Sequence, residues 1–106
     1  MPKVITVPKD QAAQDALNYD YAASEQLIEL ELTKEEFEEL WNDDVFTAIN
    51  RITGSNIDDF EDEHIMDLQV IEHVWNELKT NQIAPTNILQ MFELALIHKT
   101  SIHFYF

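Results

Sequence analysis

The side chains with most capacity for chemistry are carboxylates, and they crowd the middle of the chain. Glu35, Glu38, Glu39 and Asp43 recur at helical intervals, and Asp58, Asp59, Glu61, Asp62 and Glu63 form a second group around Phe60. Grouped acids suit three tasks: holding a cation, exchanging protons in pairs, or opposing a basic surface. A calcium loop of the EF-hand type needs alternating acids and a glycine at its sharp turn. The run Asp58-Asp59-Phe60-Glu61-Asp62-Glu63 has neither. Glu61-x-x-His64 matches one half of a di-iron ligand set, which requires a second such pair and two further Glu. No second pair exists. No metal site and no cofactor are therefore expected.

Other catalytic chemistry fares no better. A chain with one glycine and no cysteine has no phosphate-cradling loop, no nucleophile elbow, no thiolate and no disulfide. The four histidines, His64, His73, His98 and His103, do not fall into a His-x-x-x-His or His-Glu-x-x-His pattern. His73 beside Glu72 reads as part of a solvated helix face. His103 reads as pointing away from the Phe104 side of its strand. The expectation is a protein without enzymatic activity.

The elements that must carry these acids follow from periodicity. Lys3 to Val7 reads as a short edge strand, and Asp10 to Ala23 as an Ala-rich helix. Gln26 to Leu32 alternates Ile28, Leu30 and Leu32 with Glu29 and Glu31, a half-exposed strand. Thr33 and Glu36 fit a capping box, and Leu32 and Phe37 fit a hydrophobic staple. Phe37, Leu40, Trp41, Val45, Ala48, Ile49 and Ile52 then mark one helix face from about 34 to 53, closed by Gly54. Asn42-Asp43-Asp44 is the place where that helix would break in two. An acidic connection leads to a third helix at about 62–79, with Leu68, Ile71, Trp75 and Leu78 inward. Pro85 and Thr86 open a fourth, apolar almost all round and hence central. Ser101 to Phe106 alternates as a terminal strand, expected to return beside Gln26–Leu32. The fold predicted is α+β: a single compact domain over 1–106, three to four helices packed on a small sheet. An all-α bundle is the alternative.

Charge then decides the class. There are 21 acids against 6 bases, a net charge of −15 and a pI near 4.2. The imbalance is local, with 14 acids and only Lys34 and Arg51 between residues 29 and 67. A 45% hydrophobic content with two Trp and six Phe excludes a disordered chain. Such a surface repels phosphate backbones and anionic membranes, so direct nucleic-acid or membrane binding is not expected. No apolar stretch matches a signal peptide or a membrane span, which makes a cytoplasmic protein the default expectation.

The acids of the long helix share a stripe opposite Phe37, Leu40 and Trp41. Glu35–Glu39 and Glu39–Asp43 are like-charge pairs that cost about 0.2–0.5 kcal/mol each. One helical turn separates such carboxylates by ~5.4 Å, the scale of phosphate spacing along a strand. With Asp58, Asp59, Glu61, Asp62 and Glu63 they make an anionic surface for a basic protein. Tyr19, Tyr21 and Phe60 are candidate anchors, while Trp41, Trp75 and Phe92 read as core. In class the chain is similar to bacterial toxin-immunity proteins: small, cysteine-free, acidic and helix-rich. No motif ties it to one family. The leading expectation is an immunity protein or antitoxin that blocks the basic active site of a toxin domain, a nuclease in the first instance. The alternatives are a nucleic-acid mimic directed at a DNA-binding or defence protein, and a homo-oligomeric adaptor that associates weakly through an exposed C-terminal strand.

Overall fold

Alternating stretches at both ends of the chain meet in one antiparallel sheet in the computed structural model, which describes residues 3–55, 57 and 62–106. The chain runs β1 (Lys3–Pro8), α1 (Gln11–Asn18), a 3-10 turn (Ser24–Gln26) and β2 (Leu27–Leu32), then α2 (Lys34–Asn42) and α3 (Val45–Thr53). β3 (Glu63–Ile65), α4 (Leu68–Thr80), α5 (Thr86–His98) and β4 (Ile102–Tyr105) follow. The strand order is β2-β1-β4-β3. The α+β class predicted from the sequence is the class observed.

Register sorts the side chains onto two faces. Ile5 stands opposite both Leu30 and Phe104, and Ile65 opposite Ile102, so these residues share the face beneath α2 to α5. Thr6 stands opposite both Glu29 and His103, and His64 opposite His103, so these occupy the reverse face. α1 packs against β1, with Ala13 and Ala16 buried. The main core combines Ile5, Val7, Ile49, Ile71, Leu78, Ile88, Phe92 and Ile102, each completely buried.

Five expectations need correction. β1 is interior rather than an edge, because Ile5 and Val7 are buried on one face and Thr6 on the other. Burial on both faces removes the clean alternation by which a half-exposed strand is read. β4 does not lie beside β2; β1 separates them. Paired on both sides, β4 offers no free edge, and the route to self-association through it is closed. The actual edges are β2, guarded by exposed Glu29 and Glu31, and the three-residue β3. Charge and shortness are both features that discourage strand addition.

The other three corrections concern helices. The 34–53 segment is two helices, broken where Asp44 adopts a left-handed backbone with φ 61°. Aspartate tolerates that conformation better than most residues. The break lets Phe46 pack against both Phe37 and Trp41, with ring centroids 5.4 Å apart in each case. The helix expected from 62 instead begins at Leu68, where the Asp67 carboxylate accepts from the backbone N–H of Gln69 and Val70. Residues Glu63–Ile65 pair with β4 as a strand, and three residues are too few to show a period. α1 is also shorter than expected, ending at Asn18.

Candidate protein-binding surface

α2 starts on the capping box that its sequence announces. The Thr33 hydroxyl accepts from the Glu36 N–H at 3.1 Å, and the Glu36 carboxylate accepts from the Thr33 N–H at 2.9 Å. Phe37 and Leu40 face inward, and Phe37 meets Phe106 at 5.1 Å, which fixes the helix against the end of β4. That orientation leaves Glu35, Glu38, Glu39 and Asp43 exposed. Among the described residues none of these four is in an ion pair. Two of the few bases are directed elsewhere: Lys9 donates to the Glu25 backbone carbonyl at 2.7 Å, and Lys79 lies over the Trp75 ring at 4.6 Å. Glu39 and Asp43 line a groove of about 370 Å³ against the α4–α5 turn at Gln82 and Ile83.

The second acidic group is not gathered with the first. Asp58, Asp59, Phe60 and Glu61 lie outside the described residues. Asp62 is exposed and Glu63 half-buried at β3, on the sheet edge opposite the β2 strand that leads into α2. Three strand spacings, ~14 Å, separate the two edges. The expected single acidic face is therefore at least two acidic regions. Of the candidate anchors, Tyr19 and Tyr21 are 76% and 68% exposed and stack on each other at 6.4 Å. Phe92 is core, as read from the sequence, while Trp41 and Trp75 are half-buried around it.

On the reverse face a histidine pair appears that sequence reasoning missed. His64 Nδ1 and His103 Nδ1 are 2.7 Å apart, and His103 Nε2 lies 2.7 Å from the Ser101 hydroxyl. His103 is 1% exposed. Burial, reinforced by the neighbouring His64, lowers its pKa to about 4. A hydrogen bond between two Nδ1 atoms needs one donor and one acceptor, so the two rings take opposite tautomers. Tyr105 stacks parallel to His103 at 6.2 Å, and its phenol is pushed up by burial, then by Asp62 and Asp20. These groups line a cleft of about 330 Å³ with Leu17 and Met66. Alternation along β4 did place His103 and Tyr105 away from Phe104. Nothing local signalled that His64 would sit opposite His103, because the β3 pairing is long-range. Among the described residues no group of three or more His, Asp or Glu is arranged to hold a metal ion.

No protein-family model matches the chain, and no curated protein matches it either. Among solved structures it is similar to the Neisseria DNA mimic protein DMP12, at 21% identity and a TM-score of 0.67, with both chains covered over 100% of their length. The likeness is one of fold: the same α+β architecture, end to end.

Proposed function

We propose that this protein is a nucleic-acid mimic, which presents carboxylates to the DNA-binding face of a basic protein and excludes nucleic acid from it. The observation that carries this reading is the exposed stripe Glu35, Glu38, Glu39 and Asp43, left without ion pairs among the described residues on a rigidly packed helix. A stripe of unneutralised charge at helical pitch is a poor device for stability and a good one for engaging cations spaced to bind phosphates. The full-length likeness in fold to a DNA mimic protein supports it. An immunity protein or antitoxin would use the same carboxylates against a toxin's active site and stands second for want of such support. In either case the chain acts by binding and performs no chemistry of its own.

Tagged protein is used to capture partners from the source cell at low and raised salt, and the captured protein is tested for binding to duplex DNA. The expected result is one basic, DNA-binding protein that releases its DNA when the acidic protein is added. Reversal of Glu35, Glu39 and Asp43 to Lys is expected to abolish capture while circular dichroism stays unchanged. Capture of a protein with toxin activity and no DNA competition would favour the immunity reading. Unchanged capture by the triple variant would remove α2 from the interface.

A further inference from the structure

We infer that His64 and His103 form a proton-operated latch, which holds β3 on β4 and lets that strand go when both rings are protonated. The inference is independent of the mimic reading and requires no partner. His64 stands opposite His103 at the middle of the three β3–β4 residue pairs. Their Nδ1 atoms are 2.7 Å apart, so one must donate and the other accept. The neutral pair meets this requirement with one proton between the rings. A singly protonated pair meets it too, because one Nδ1 is still bare and the bond becomes charge-assisted. Exposed His64 carries that charge in water while its Nδ1–H points at His103. The second proton removes the last acceptor. Two N–H groups on two cations then face each other, and the contact cannot persist. This count of protons follows from the bond itself, whatever the pH at which each ring takes them.

In the closed pair His103 has no means of solvating a charge. It is buried, its Nε2 lies 2.7 Å from the Ser101 hydroxyl, and Tyr105 stacks parallel to it. The His64 ring packs edge-on against it at 4.9 Å. Four acids surround the pair. Asp62 and Asp20 line the cleft in front of it, and Glu63 accepts from the His64 backbone N–H at 3.2 Å. Glu29 occupies the same row of the sheet beyond Thr6. The Tyr105 phenol, pushed up by burial, stays neutral. Both ring nitrogens of His103 are already taken, by His64 and Ser101, so none of these carboxylates has a free His103 N–H to accept from.

β3 is the strand with least to hold it in place. It pairs with β4 alone, through three residues, of which only Ile65 is buried. β1, by contrast, is paired along both sides. Water reaches a charged His103 when the backbone that carries His64 lifts away. A strand this short can open by itself while the rest of the sheet stays closed. The open state leaves the outer edge of β4 unpaired and turns Ile65 out of the core.

The test is backbone amide exchange by NMR on isotopically labelled protein from pH 7 to pH 4, corrected for the intrinsic rate at each pH. The imidazole nitrogen signals are followed in parallel. Between pH 6 and pH 4 the β3–β4 amides are expected to lose at least about 10-fold in protection, while the β1–β2 amides keep theirs. The loss is expected to track the second proton on the pair, with the bridging proton still present after the first. His64→Asn/His103→Asn is expected to lose this pH dependence, and a response equal to wild type would assign it to the carboxylates and overturn the latch. Three outcomes in the wild type alone would also overturn it: release on the first proton, equal loss from both sets of amides, or unchanged β3 protection with both rings charged. The last would mean that the His64 ring swings aside and leaves its strand in place.

Discussion

His103 illustrates how a single side chain acquires properties that its sequence position conceals. In the unfolded chain its imidazole titrates near ~6.5. In the fold, burial and His64 depress that to about 4. Between those values the unfolded chain holds a proton that the folded chain does not, so stability rises with pH across the window. The contribution is fully present above ~6.5 and lost as pH falls toward 4, an effect of up to ~3 kcal/mol. Urea midpoints at pH 7 and pH 5 are expected to show this loss, with a shallower dependence in His103→Asn. The same pH dependence in the variant would assign it to carboxylates instead. The hydrogen bond between the two Nδ1 atoms also predicts one protonated and one bare Nδ1, which a long-range proton–nitrogen correlation spectrum reads directly. From the sequence, the strand alternation gave the direction of His103; its partner His64 required knowledge of a pairing between residues 39 apart.

The helices were legible where their ends obey local rules and illegible where they do not. Thr33 and Glu36 announced the start of α2, and their hydrogen bonds are as the motif requires. Thr33→Ala is accordingly expected to cost about 1 kcal/mol, measured by denaturant midpoint. Gly54 announced the end of α3 and adopts φ 74°. The other four α-helices end without glycine: Asp20, Asp44, Gln82 and Lys99 take the left-handed position with φ between 53° and 61°. With no glycine to mark its stop, α1 reads from the sequence as running on to Ala23 rather than ending at Asn18, whereas the Asn42-Asp43-Asp44 run does mark the place where the 34–53 helix divides. Such residues carry a backbone cost that glycine avoids. Gln82→Gly is therefore expected to stabilise the protein by about 0.5–1 kcal/mol, despite glycine's greater entropy when unfolded. A lower midpoint in that variant would show that the Gln82 side chain contributes more than its backbone costs.

The whole molecule is matched in charge and length to what it is proposed to replace. Its longest dimension is 34 Å, about the length of one duplex turn. A duplex of that length carries ~20 phosphates at one charge per ~1.7 Å. The chain has 21 acids and a net charge of −15. The acids are, however, distributed over a globule with two faces and two guarded sheet edges, and the sequence alone suggested one face because β3 and β2 could not be placed on opposite edges. This difference in geometry has a consequence for competition. DNA binding releases condensed counterions, so its affinity falls steeply with salt, by about 0.9 in the log–log slope for each phosphate neutralised. A compact protein carries no such condensed sheath along a line of regular charge, and its attraction weakens only through screening over a Debye length of ~10 Å at 0.1 M. The partner's affinity for this protein is thus expected to fall with salt less steeply than its affinity for DNA. Dissociation constants for both ligands at 50, 100 and 200 mM salt test this, with the protein's competitive advantage over DNA expected to grow at each step. Parallel slopes would mean that this surface binds through counterion release as DNA does, and that its globular shape confers no advantage over the nucleic acid it is proposed to displace.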